Sequence, residues 1–246
     1  MSAARLFGVG LGPGDPELMT LKAMRALGAA DVIAYFAKAG NSSHSRAIAA
    51  EHLRAGVIEL PLYYPVTTEL PSCSAGYRDA ITAFYDKAAA DVAAHLEAGR
   101  NVAVICEGDP MFYGSYMHLH TRLTPRFAAE IIAGVTGMSG CWSAAGMPIA
   151  QGNDVFTVLP ATLSESELTR RLADADAAVV MKVGRHLPKL RRALDQSGRL
   201  GRAIYIERGT MADAKMIPLA AKTDDDAPYF AVVLVPGWAT RPGAES

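Results

Sequence analysis

No apolar run in this sequence approaches the ~18 residues that a membrane span requires. The longest, such as Ala177 to Met181 and Phe230 to Val235, are the size of single strands. The start, MSAARLFGVG, passes from one arginine straight into a strand-like run, without the apolar stretch and small-residue cleavage site of a signal peptide. A cytoplasmic protein with no membrane partner is therefore expected. Cysteine is scarce: Cys73, Cys106 and Cys141 are odd in number, form no CxxC pair, and are expected to be reduced and mostly buried. Basic excess is missing too, since 24 Lys and Arg face 25 Asp and Glu for a net charge of -1. With no surplus of cations to neutralise phosphates, no nucleic-acid partner is expected.

The usual catalytic signatures are also missing. There is no HExxH, no GxSxG elbow, no Cys/His cluster and no GxxxxGK[ST] loop. His118 and His120, two apart on an expected helix, point to different faces and do not suit one metal. The acidic run Asp224 to Asp226 is expected in a solvated turn. Metal and nucleophilic catalysis thus have no support, and no repeat or low-complexity tract is visible.

What is present is a chain of 246 residues, half of them apolar, enough for one large domain or two small ones. Short apolar strand candidates alternate with amphipathic helix candidates, the rhythm of an α/β fold with a largely parallel sheet. Strands are predicted at Arg5 to Gly10, Asp31 to Tyr35, Val57 to Leu62, Asn101 to Cys106 and Ala129 to Ala133. Between them, helices are predicted at Met19 to Leu27, Ser45 to Arg54 and about Gly76 to Glu97. The last carries Tyr77, Ile81, Phe84, Tyr85, Val92 and Leu96 on its buried stripe and is stopped by Gly99. A helix rich in small residues follows at Thr136 to Ala145. Further on, Ser164 and Glu167 form a capping-box start, and Leu187 to Gln196 reads as a helix. Strands at Ala177 to Val183, Ala203 to Glu207 and Tyr229 to Val235 are spaced too closely for a crossover helix between each pair. The second sheet should therefore be at least partly antiparallel. A domain boundary is placed near Gly134, giving domains 1-134 and 135-246.

Two turns stand out. GVGLGPGD follows the first strand, but a dinucleotide GxGxxG frame begun at Gly8 meets Pro13, and one begun at Gly10 meets Asp15. A nucleotide-dependent enzyme is disfavoured accordingly. EGDPMFYG (107–114) follows the buried strand NVAVIC, where Gly108 lets backbone approach a ligand closely and Pro110 stiffens the path. Both turns lie at carboxyl ends of strands, where open α/β sheets hold their ligands. By residue type alone, Met181 and Lys182 read equally as core plus a snorkelling lysine, and Glu207-Arg208 as a surface ion pair.

Taken together, these segments resemble the tetrapyrrole (corrin/porphyrin) methylase family, whose members transfer a methyl group from S-adenosylmethionine. GVGLGPGDPELMTLKA (8–23), EGDPMFYG (107–114) and AGVTGMSGCWSAAGMP (133–148) look like its three signatures, with Ala133 where many relatives have proline. VVMKVG, YIERGTM and YFAVVLVPG are similar to its later strands. The resemblance implies two α/β domains, the first sheet mostly parallel and the second mixed, with the cofactor in the cleft between them, and a homodimer. It implies that Glu107, Gly108, Asp109, Met111 and Phe112 line the S-adenosylmethionine pocket and that Thr136 and Gly137 reach the same ligand. Met181, Arg208 and Gly209 would close it around adenine and ribose, and Pro13 would border the substrate. The implied substrate is a small-molecule tetrapyrrole with many carboxylates, for which Lys38, His44, Arg46, Lys182 and Arg185 are candidate contacts. No single catalytic side chain is expected, because the chemistry needs positioning rather than a metal or a covalent catalyst. A non-catalytic tetrapyrrole carrier is the rival from another class; it would not need an intact sulfonium pocket.

Overall fold

A computed structural model describes residues 4–65 and 75–237. Cys73 lies outside the described residues. The chain divides into two compact units, residues 1–137 and 138–246.

The first unit is built on five strands, β1 (Leu6–Gly10), β2 (Val32–Lys38), β3 (Ile58–Tyr64), β4 (Val102–Cys106) and β5 (Ala129–Ile132). They are ordered β3-β2-β4-β1-β5, and every pairing is parallel. β1 and β4 are buried along their whole length, as expected for central strands covered on both faces. On one face pack α3 (Ala75–Glu97) and α4 (Tyr116–Leu123), through Phe84, Val92, Leu96 and Leu119. On the other pack α1 (Leu21–Ala29) and α2 (His44–Ile48), through Ala23, Leu27 and Ile48.

That arrangement creates a switch point. β1 is followed by α1 on one face, and its neighbour β4 is followed by α4 on the opposite face. The turns after these two adjacent strands must diverge, which opens a crevice at their carboxyl ends.

The long helix runs as its periodicity predicts, with Phe84, Tyr85, Val92 and Leu96 buried. The helix predicted over Ser45 to Arg54 is shorter. It begins at a capped Ser43, ends at Ile48 and continues as a 3-10 turn over Ala50–His52. The break lets Leu53 turn into the core that already holds Ile48.

The second unit carries β6 (Phe156–Pro160), β7 (Ala177–Met181), β8 (Ile204–Glu207), β9 (Lys215–Pro218) and β10 (Ala231–Val235), in the order β6-β7-β10-β8-β9. β6 and β7 are parallel and the other pairs antiparallel, so this sheet is mixed, as the strand spacing predicted. α6 (Glu165–Asp174) and α7 (Leu187–Gln196) cover one face through Leu168, Leu172, Leu190 and Leu194. The other face packs on Cys141 and Trp142 of α5 (Gly137–Ala144). Ser164 Oγ accepts the Glu167 N–H at 3.3 Å, one half of the predicted capping box.

The edge strands β6 and β9 are not among the predicted strands. β9 shows almost no buried residue, and both end in proline, so neither carries the apolar alternation that marks a strand. The strand predicted from Tyr229 starts two residues later, at Ala231; Tyr229 itself is 86% exposed.

Candidate active site

Three chain segments converge where β1, β4 and β5 end. Gly12 and Gly108 pair across the two turns: the Gly108 N–H donates to the Gly12 carbonyl at 2.7 Å, and the Gly12 N–H returns a bond at 3.4 Å. The Leu11 N–H also donates to the Cys106 carbonyl at 2.9 Å. A Cβ built on Gly10 would stand 2.6 Å from both the Gly108 oxygen and the Gly134 nitrogen, and one on Gly134 would overlap the Gly108 oxygen. Glycine is thus required at positions 10 and 134 by close backbone approach. Both lie within the first and third signature segments, Gly10 as the last residue of β1 and Gly134 two residues beyond β5, but only their close approach shows why each must be glycine.

The second turn is held from several sides. Gly108 is buried and left-handed, with φ of 64°. The site of its missing Cβ lies 3.6 Å from the Gly137 nitrogen and 3.8 Å from the Thr136 Cα. The predicted residues Gly108, Thr136 and Gly137 are therefore neighbours. Asp109 Oδ1 accepts the Met111 N–H at 2.8 Å and Oδ2 the Gly134 N–H at 3.1 Å. Glu107 Oε1 accepts the Ser45 N–H at 2.9 Å, so the carboxylate serves the first turn of α2. Met111 is exposed and Phe112 half-buried.

Pro13 sits half-buried between two left-handed glycines, Gly12 (φ 83°) and Gly14 (φ 142°). Asp15, the counterpart of Asp109 in the first turn, instead accepts the Glu17 N–H at 2.9 Å and caps the short 3-10 helix Pro16–Leu18.

The cationic candidates of this unit differ in state. Lys38 ends β2 and His44 begins α2, both exposed. Arg46 is engaged internally, its Nε and Nη2 reaching the two Glu59 oxygens at 3.0 and 2.8 Å. That bidentate pair holds the Glu59 carboxyl below its ordinary range. Tyr35 donates to the same carboxylate at 3.1 Å.

In the second unit, Met181 ends β7 half-buried, with exposed Lys182 next to it at φ 56°. Arg185 is exposed in the 3-10 turn Gly184–His186. Arg208 follows β8 at φ 49°, donates its N–H to the Phe230 carbonyl at 2.8 Å, and pairs with Asp213 at 2.8 Å. Glu207 does not form the surface pair with Arg208 that adjacency in sequence offers. It is buried and accepts the Tyr205 hydroxyl at 2.7 Å. Gly209 has no room for a side chain, since a Cβ would stand 2.6 Å from Cys141 Sγ. Beside Glu207 and Arg208 lies a cavity of about 560 Å³ walled also by Lys215, Lys222, Asp224 and Asp226.

The two described thiols are buried; burial pushes Cys106 up to about 12 and Cys141 to about 11, which keeps both protonated and unreactive. His118 stacks on Tyr85 with ring centroids 4.1 Å apart, while His120 faces Tyr116 at 3.3 Å, so the two imidazoles diverge as predicted. Among the described residues no cluster of metal-ligating side chains occurs and no helix is long and apolar enough to cross a membrane.

Comparison with known proteins agrees with this architecture. Precorrin-2 C(20)-methyltransferase of Sinorhizobium sp is 62% identical over 242 residues, covering 98% of this chain and 99% of that protein. Cobalt-precorrin-2 C(20)-methyltransferase of Salmonella typhimurium is 28% identical over 94% of this chain and 95% of its own. In structure, uroporphyrin-III C-methyl transferase from Thermus thermophilus, complexed with S-adenyl homocysteine, superposes with a TM-score of 0.67 at 20% identity, covering 96% of this chain and 94% of that one. The model of the tetrapyrrole (corrin/porphyrin) methylases matches residues 5–223, and the chain belongs to that family.

Proposed function

We propose that this chain is an S-adenosylmethionine-dependent C-methyltransferase that methylates carbon 20 of precorrin-2, giving precorrin-3A in cobalamin biosynthesis. The observation that carries this is the 62% identity to precorrin-2 C(20)-methyltransferase along practically the whole of both chains. The identity to the cobalt-precorrin-2 enzyme is less than half as high, which favours the metal-free substrate.

In this reading the donor rests on the turn Glu107, Gly108, Asp109, with Met111 and Phe112 beside it and Thr136 and Gly137 at its edge. The cradle suits such a ligand: Gly108 leaves backbone bare, and a Cβ at Gly137 would meet nothing within 4 Å. Met181, Arg208 and Gly209 are the cofactor contacts of the second unit, and Pro13 borders the substrate. Lys38, His44, Lys182 and Arg185 receive substrate carboxylates. Arg46, already forked onto Glu59 near the start of β3, reaches substrate when that pair opens. We also assign the protein to the cytoplasm, in keeping with its few cysteines and no CxxC pair, and as a homodimer on the family resemblance.

When bound, S-adenosylmethionine would supply an electrophilic methyl whose bonding pair stays on sulfur, while the enamine-like carbon of the reduced tetrapyrrole would supply the new bond's pair and afterwards release its proton to solvent water. The protein's contribution is geometry. Holding the two reactants in near-attack alignment lowers the barrier by ~7–11 kcal/mol. A bound turn with its amides and carbonyls already ordered does this without a catalytic side chain.

The test is incubation of the purified chain with methyl-labelled S-adenosylmethionine and either metal-free or cobalt-containing precorrin-2. Label at carbon 20 of the metal-free substrate, assigned by NMR, is expected. Transfer to another ring position, or turnover of the cobalt form alone, overturns the assignment. Tight substrate binding without transfer would favour a carrier.

A further inference from the structure

Tyr113 is held in a backbone conformation that an aromatic residue rarely adopts. Its φ is 54°, in the left-handed region where glycine or asparagine normally stands. The turn is held on both sides of it. Asp109 anchors Met111 and Gly134 through its two oxygens, and its carbonyl accepts the Phe112 N–H at 3.3 Å. On the far side, a Cβ at Gly114 would stand 2.8 Å from the Pro110 oxygen, so the chain closes tightly there too. Glycine or asparagine would adopt the left-handed conformation seen at 113 with less strain.

The large ring does not compensate by burial. Tyr113 is 49% exposed, and Phe112 packs edge-on against it with centroids 4.9 Å apart at 81°. The ring is thus braced by Phe112 while about half of the residue stays exposed, two residues from an exposed Met111. Local strain of this kind persists where the side chain has work to do at a ligand. A turn at the switch point of the sheet, holding an exposed and braced aromatic plane, suits a flat conjugated ligand better than a flexible one.

We infer that Tyr113 is a substrate-recognition residue whose ring lies against the tetrapyrrole macrocycle, separate from the contacts that hold the methyl donor. This rests on the function proposed above. The test uses the full chain and compares Tyr113→Gly, Tyr113→Asn and Tyr113→Phe. Glycine and asparagine both accept the left-handed backbone, so the melting temperature should hold or rise. Both should raise the KM for precorrin-2 about tenfold or more, the loss of one stacked aromatic contact. S-adenosylhomocysteine affinity by calorimetry should stay within about twofold, and Tyr113→Phe should recover most of the lost KM. An unchanged KM in Tyr113→Gly and Tyr113→Asn, or an equal loss of S-adenosylhomocysteine affinity, overturns the inference. If the unsubstituted chain itself fails to methylate precorrin-2, the proposed function falls and takes the inference with it.

Discussion

Asp109 Oδ2 accepts the backbone N–H of Gly134 at 3.1 Å, so a side chain in the turn after β4 holds the chain just beyond β5. The same tripeptide, Gly-Asp-Pro, occurs after β1, yet there Asp15 only caps the residues that follow it. Asp109 is what ties the second and third signature segments into one surface.

Replacing Asp109 with alanine removes acceptors for two backbone amides. A loss of about 1–3 kcal/mol is expected, discounted for partial exposure. Asparagine keeps one carbonyl acceptor and should lose roughly half as much. Urea denaturation measures both, and identical midpoints for the two variants would contradict the two-oxygen role.

The glycines divide sharply by what surrounds them. Gly134→Ala places a methyl group onto the Gly108 carbonyl, and forcing apart such packed backbone should cost at least ~1–3 kcal/mol. Gly28→Ala, inside α1 with nothing within 4 Å of the new Cβ, should instead stabilise by ~0.5–1 kcal/mol. Thermal melts of the pair should move in opposite directions.

Gly108→Val combines a left-handed backbone with a β-branched side chain beside Thr136 and Gly137. S-adenosylhomocysteine binding, followed by calorimetry, should be lost. Retained binding would remove this turn from the donor site.

Stability should depend on pH through the buried thiols. Cys106 is raised to about 12 and Cys141 to about 11, both by burial. An acid raised in the folded state stabilises fully below its unfolded pKa, and that contribution is lost as pH rises through the folded value. Unfolding free energy should therefore decline from about pH 9 upward, and less steeply in Cys106→Ala than in the parent. In a Cys73→Ser background, the folded chain at pH 8 should react slowly with a thiol reagent and rapidly once unfolded. Equal slopes in parent and Cys106→Ala would contradict the assignment.

Much of this protein was decided locally. The stripe of Phe84, Tyr85, Val92 and Leu96 repeats at helical spacing, and Val102 to Cys106 is apolar throughout, so α3 and β4 announce themselves without reference to the rest of the chain. The signature turns were equally visible, because glycine and proline restrict backbone at short range. Edge strands were not: β9 buries almost nothing, and pairing with β8 alone makes it a strand. Nor could spacing reveal that Arg46 is taken by Glu59, that Glu207 turns inward to Tyr205, or that Tyr113 is left-handed. The first depends on a residue 13 positions along the chain, the second on the burial of β8 within its sheet, and the third on a turn closed from both ends. Periodicity and turn chemistry act within a few residues, whereas the approach of Gly10, Gly108 and Gly134 exists only once three strands lie side by side.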